Sequence, residues 1–202
     1  MQENLIKILS EEKILPIIRG NEPDFVINTA KALIDGGIKF VEINVQNPQI
    51  YKAIEEVSKY IQVCAGGIIT AMQANAAISA GAKVISSPIF QMNLVKISKN
   101  GKIPFIAGTS TANEAYAAWK ARIPVIKIYP ITAMGGVQYV EDLLRPMPFL
   151  NILPLGNVKL NEVNDYIKAG AFAVGVGRDF YDGFNYNEIT KRAKRVLADI
   201  RG

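Results

Sequence analysis

Apolar residues along this chain gather into eight short runs separated by longer, periodically polar stretches. The runs are Ile14–Arg19, Phe40–Gln46, Gln62–Ile68, Val84–Ile89, Pro104–Gly108, Val125–Tyr129, Asn151–Leu155 and Ala171–Gly177. They recur at intervals of roughly 20 to 25 residues, the beat of alternating strands and helices. Between Ile50 and Ile61 the residues Ile50, Ile54, Val57 and Ile61 share one helical face. A second stripe, Ile189, Ala193, Val196, Leu197 and Ile200, predicts an amphipathic last helix. A loose internal repeat marks several helix-to-strand passages. Asp35-Gly36-Gly37-Ile38-Lys39-Phe40-Val41 is echoed by Ser79-Ala80-Gly81-Ala82-Lys83-Val84-Ile85 and by Lys168-Ala169-Gly170-Ala171-Phe172-Ala173-Val174. Each reads as a helix stopped at glycine and followed at once by a strand.

The predicted strands are near-continuous apolar runs rather than polar–apolar alternations. Both their faces are therefore buried, as in a parallel sheet covered by helices. Eight βα units in 202 residues predict a single (β/α)8 TIM barrel spanning residues 1–202 as one domain. An open doubly wound sheet is the competing α/β architecture. It would carry a glycine-rich turn after its first strand, and Arg19-Gly20-Asn21-Glu22 is not one.

Composition narrows the function classes. Half the residues are hydrophobic and a fifth are charged, the balance of a globular protein. No apolar run approaches the roughly 20 residues that cross a bilayer, and the N-terminus lacks a secretory pattern. A lone cysteine, Cys64, rules out an internal disulfide, and a cytoplasmic location without a membrane partner is expected. The net charge of +5 raises nucleic acid as a partner, but the basic cluster Lys191, Arg192, Lys194 and Arg195 falls on the polar face of the last helix. No nucleic-acid partner is expected. The absence of histidine excludes His-containing zinc sites and Ser-His or Cys-His nucleophiles. Acid–base chemistry falls to a carboxylate, a lysine, a tyrosine or the substrate.

In a barrel the active site sits at the C-terminal ends of the strands, so ionisable residues inside apolar strands stand out. Lys127 lies in Val125-Ile126-Lys127-Ile128-Tyr129, where desolvation would favour the neutral amine that carbonyl attack requires. A lysine lying along the sheet with its ammonium in solvent is the plain alternative. Glu42, in Phe40-Val41-Glu42-Ile43, is the expected partner of Lys127, either as a proton-sharing pair or as a structural ion pair. Arg19 ends the first strand and suits a substrate carboxylate or phosphate, or else is an ordinary surface arginine. Gly175-Val176-Gly177-Arg178 and Gly156-Asn157 end the last two strands, where barrels often hold phosphate.

Taken in order, these segments resemble a known family. Val41-Glu42-Ile43, Ala65-Gly66, Ser87-Pro88, Gly108-Thr109-Ser110-Thr111 with Glu114, Lys127-Ile128-Tyr129-Pro130 with Gly135-Gly136, and Ala173-Val174-Gly175-Val176-Gly177 are similar to the bacterial 2-keto-3-deoxy-6-phosphogluconate (KDPG) / 4-hydroxy-2-oxoglutarate (KHG) aldolases, including their 6-phosphogalactonate branch. The resemblance covers nearly the whole chain. It implies a (β/α)8 barrel assembled as a homotrimer, with Lys127 as Schiff-base lysine and Glu42 as proton shuttle. The implied reaction cleaves a small-molecule 2-keto acid to pyruvate and an aldehyde, with no metal or organic cofactor. Substrate contacts are expected from Arg19, Gln46, Gly67, Pro88, Thr109, Tyr129, Gly156, Asn157, Gly177 and Arg178.

The chain departs from the family at the ends of the substrate. Gln46 stands where an arginine is usual, although the galactonate branch also lacks it; Gly67 stands where a threonine is common. Leu155-Gly156-Asn157 replaces a Thr-Gly-Gly loop, and Arg178 replaces a serine. Two other readings stay open on the sequence: a barrel phosphosugar isomerase using Glu42 as base, and a non-catalytic oligomeric binding protein that kept the fold.

Overall fold

The N-terminal helix α1 (Gln2–Glu12) leads into strand β1 (Ile14–Arg19), and strands and helices then alternate to the end of the chain. The computed structural model describes residues 2–201. The order continues α2 (Pro23–Asp35), β2 (Phe40–Asn44), α3 (Ile50–Val57), β3 (Gln62–Gly66), α4 (Ala71–Ser79), β4 (Val84–Ser87) and α5 (Met92–Gly101). It completes with β5 (Phe105–Thr109), α6 (Ala112–Lys120), β6 (Val125–Ile128), α7 (Val137–Leu144), β7 (Ile152–Pro154), α8 (Val163–Lys168), β8 (Val174–Val176) and α9 (Tyr186–Arg201).

The strands form one parallel sheet in the order β7-β6-β5-β4-β3-β2-β1-β8. A bridge between Leu155 and Gly175, with the Phe172 amide donating to the Ile152 carbonyl at 2.9 Å, joins β7 to β8 and rounds the sheet into the expected barrel. Side chains alternate across each strand, so two apolar layers result. One set points outward against the helices, including Ile18, Ile43, Ala65, Ile85, Ala107, Ile126, Ile152 and Val176. The other fills the barrel: Leu15, Ile17, Phe40, Cys64, Val84, Ile106, Val125, Leu153 and Ala173. Leu5 and Leu9 of α1 join this inner set and close its lower end.

The eight strands lie where the hydrophobic pattern predicts them, but several end earlier. Strand β2 stops at Asn44 rather than Gln46, β3 at Gly66 rather than Ile68, and β4 at Ser87 rather than Ile89. These upper ends leave the ladder as the loops flare outward; Gly67, just beyond β3, has a φ of +73° that no strand residue adopts. The last strand begins at Val174 rather than Ala171 because Ala171 is still bonded through its amide to Tyr166, in the closing turn of α8. The predicted helix over Ile50–Ile61 ends at Val57 and finishes in irregular turns. Helix α1 lies outside the predicted elements altogether. Among the described residues no helix, α1 included, is long and apolar enough to cross a membrane.

Candidate active site

The inward-facing register that builds the lower core continues upward, and two residues higher on each strand the chemistry changes. Above Phe40 comes Glu42, above Val84 comes Ser86, above Val125 comes Lys127, and above Ala173 comes Gly175. The apolar floor therefore carries an ionic layer near the C-terminal ends of the strands. Lys127 is 4% exposed, Glu42 2% and Ser86 0%. The Lys127 ammonium donates to Glu42 Oε1 at 2.9 Å, to Oε2 at 2.8 Å and to Ser86 Oγ at 2.5 Å. A buried lysine is tolerated because each charge is compensated by the other. The reading of Lys127 as an edge lysine reaching solvent is thereby overturned.

Cys64, paired with Glu42 across the β2–β3 ladder, donates its thiol to Oε2 at 3.8 Å. Burial pushes this thiol well up from its ordinary value, and the neighbouring carboxylate adds to the effect. It is held as a protonated, unreactive group.

Above the pair, Asn44 ends β2 with its amide between Glu42 and Arg19. The hydrogen-bonding network fixes the amide orientation. Its oxygen accepts from Arg19 Nε at 3.2 Å and Nη2 at 3.1 Å, and its nitrogen donates to Glu42 Oε1 at 3.1 Å. Gly66 on the adjacent strand makes room for this arrangement, since a Cβ there would fall on the Asn44 amide nitrogen and on Glu42 Oε1. The Arg19 backbone is fixed by its amide donating to the buried Tyr181 hydroxyl at 3.0 Å.

These residues open into a cavity of about 800 Å³. Of the residues singled out in the sequence, Lys127, Glu42, Arg19, Gln46, Gly67, Pro88, Tyr129, Gly156, Asn157, Gly177 and Arg178 all line it. Thr109 does not. Its hydroxyl is buried and donates to the Lys127 carbonyl at 3.2 Å, so it fastens β5 to β6 beside the lysine. Arg178 is exposed at the mouth and has no ion-pair partner among the described residues. Its neighbour Asp179 is fully engaged, by Lys159 at 3.3 Å, Arg192 at 3.3 Å and the Leu160 amide at 2.9 Å. The mouth thus offers Arg19 and Arg178 as cations not neutralised by a carboxylate.

Sequence reasoning passed over Asn44, Ser86, the space-making role of Gly66 (met only within the Ala65-Gly66 motif) and Tyr181. For the first three the signal is the two-residue spacing: Asn44 follows Glu42, Ser86 follows Val84 and Gly66 follows Cys64 on the inward face. Tyr181 lies beyond the last strand, where no periodicity applies.

A barrel with a buried lysine–carboxylate pair beneath a cationic mouth is the arrangement of an enzyme working on acidic carbonyl compounds. The chain belongs to the KDPG and KHG aldolase family, whose sequence profile matches residues 5–192. It is 27% identical over 200 residues to 2-dehydro-3-deoxy-phosphogluconate aldolase of Dickeya dadantii, covering 95% of this chain and 94% of that protein. It is also 27% identical over 173 residues to 2-dehydro-3-deoxy-6-phosphogalactonate aldolase of Escherichia coli, covering 83% and 84%. Among solved structures it superposes with a TM-score of 0.86 on the KDPG aldolase of Legionella pneumophila, in which pyruvate was captured as a covalent carbinolamine; identity there is 23%, over 95% of this chain and 97% of that one.

Proposed function

We propose that this protein is a class I aldolase that cleaves a 2-keto-3-deoxy-6-phospho sugar acid, or 4-hydroxy-2-oxoglutarate, to pyruvate and an aldehyde. The observation that carries this reading is the buried contact of Lys127 with Glu42 on the floor of the cavity, 2.8 Å at its shortest.

The geometry suits each step. Glu42 takes a proton from the ammonium, and the freed amine of Lys127 attacks the C2 ketone. The ketone oxygen takes a second proton from the attacking nitrogen to give the carbinolamine. The same carboxyl then returns its proton to the departing hydroxyl, leaving an iminium and water. Glu42 then accepts the C4 hydroxyl proton as the C3–C4 bond breaks and its electron pair flows into the iminium. Protonation of the enamine at C3 and hydrolysis release pyruvate and restore the lysine. The iminium is the electron sink, and the chain's own residues supply the proton transfers. The carbinolamine of the Legionella pneumophila relative supports the same course here. Arg19 is assigned to the keto-acid carboxylate and Arg178 to the distal anionic group, since a guanidinium presents a fork of donors.

The same reading makes the protein a cytoplasmic homotrimer. Exposed Ile69, Met72, Ile89 and Met92 sit in or after the loops that follow β3 and β4, and a side chain–backbone bond from Gln91 to Ile69 ties these loops together. An apolar surface of this kind supports self-association, and sedimentation equilibrium tests it.

The decisive experiment is borohydride reduction in the presence of pyruvate, followed by peptide mass spectrometry. A reduced pyruvyl adduct on Lys127 is expected. Folded protein that gives no adduct at Lys127 would rule out the aldolase reading.

A further inference from the structure

Asn44 joins two groups that the proposed reaction uses separately, and we infer that it is a positioning residue that sets both the base and the substrate anchor. This inference rests on the aldolase reading. Its grounds are geometric. The Asn44 oxygen accepts from Arg19 Nε and Nη2, while its nitrogen donates to Glu42 Oε1. Asn44 is itself 5% exposed, so both bonds are sheltered from competing water.

Consider the guanidinium first. A guanidinium has five N–H donors in a fixed plane. Asn44 occupies the edge formed by Nε and Nη2, which leaves the Nη1 end free and fixes the plane of the group. Among the described residues, the exposed Arg19 is otherwise anchored only through its backbone, by Tyr181. Asn44 therefore aims an exposed cation.

Now consider Glu42. In the resting site its carboxylate is held chiefly by the Lys127 ammonium. Once Lys127 becomes an iminium, that nitrogen no longer offers the same donors. Cys64 remains alongside, at 3.8 Å and as a weak donor. The Asn44 amide is the strong donor that persists through the covalent intermediates. It keeps Oε1 fixed and leaves Oε2 to move protons. The bare side of Gly66 is what admits this bridge.

Isosteric Asn44→Asp separates the two halves. It keeps an acceptor for Arg19 but replaces the donor to Glu42 with a repelling oxygen. The readout is exchange of the pyruvate methyl protons in deuterated water. In that reaction Glu42 removes a C3 proton from the iminium, the C–H electron pair forms the enamine, and a deuteron returns to C3. Asn44→Asp is expected to slow exchange by about 100-fold, the cost of a misplaced catalytic group. Half-saturation by pyruvate is expected to stay near wild type, and borohydride trapping at Lys127, though slower, is expected to reach the same final extent. Asn44→Ser, smaller and uncharged, reaches neither partner; it should lose both exchange and pyruvate affinity, and it serves if the aspartate variant does not fold. In a double-mutant cycle, Asn44→Ser and Arg19→Ala should be non-additive for pyruvate affinity. Wild-type exchange rates in both Asn44 variants, with trapping intact, would overturn the inference. Absence of trapping in wild type would instead overturn the aldolase reading beneath it.

Discussion

The Lys127 ammonium crosses the barrel from β6 to meet both carboxylate oxygens of Glu42 on β2, at 2.9 and 2.8 Å. Neither residue reaches solvent appreciably, so each depends on the other for compensation. The pair holds reactivity and stability in one contact.

Removing one member should therefore affect both. Lys127→Met is expected to abolish turnover and borohydride trapping. It also strands a buried carboxylate, so stability at neutral pH should fall by about 3–5 kcal/mol. Adding Glu42→Leu should recover much of that loss without restoring activity. Urea denaturation of the two variants checks the difference.

Gly66 is the space into which the site is built. In Gly66→Ala the new methyl coincides with the Asn44 amide nitrogen and Glu42 Oε1, so both side chains must shift out of their bonded positions toward the cavity they line. Activity should fall by about 100-fold, with a stability loss of about 1–3 kcal/mol from overpacking. Steady-state kinetics and thermal unfolding report the two effects.

Gly67 invites a misleading repair. Threonine is common at this place in related aldolases, so Gly67→Thr looks like a restoration of carboxylate binding. The backbone there has a φ of +73°, a conformation that β-branched residues avoid. The substitution should cost about 1–3 kcal/mol and leave pyruvate affinity no better. Improved affinity at unchanged thermal stability would contradict this account.

Arg178 lines the mouth without an ion-pair partner among the described residues. Arg178→Ser should raise KM for a phosphorylated substrate by about tenfold at low salt, the worth of a charge-assisted bond, with kcat little changed. The gap should narrow as ionic strength rises.

Glu114 gives the fold a pH-dependent element near the lysine. Its carboxylate accepts the amides of Ser110 and Thr111, each at 2.8 Å, in the capping box that starts α6. The Ser110 amide, then that of Thr111, hold this carboxyl below its usual 4.5. A carboxyl lowered in the native state stabilises fully above its unfolded value, and that contribution disappears as pH falls through the native one. Glu114→Gln should therefore be less stable than wild type at pH 7, with the difference closing as the pH drops below the carboxyl's usual 4.5. Ser110 also donates to the Tyr129 carbonyl at 2.7 Å, so the loosened loop lies directly above Lys127.

The barrel was legible because fully buried parallel strands write themselves as unbroken apolar runs. Lys127 and Glu42 stood out for the same reason: a charge inside such a run has no ordinary explanation. Helix α1 escaped because Leu5 and Leu9 face the barrel while its polar side carries no repeat to mark it. Asn44 and Ser86 escaped because uncharged polar residues near strand ends are common, and only the closed barrel brings them to Glu42 and Lys127. Thr109 shows the reverse case, lying off the cavity and bonded to the Lys127 carbonyl. A residue can belong to a recognisable motif and still serve the backbone rather than the cavity.

The leucines that α1 inserts under the barrel also govern traffic. With the lower end sealed by Leu5 and Leu9, substrate and both products of the proposed reaction share a single doorway. The pyruvate half is tethered to the floor while the aldehyde half lies nearer the exit. The aldehyde therefore leaves first, and in the synthetic direction pyruvate must board before it. The covalent tether at Lys127 sets that order, and the plug makes both compounds keep to one opening.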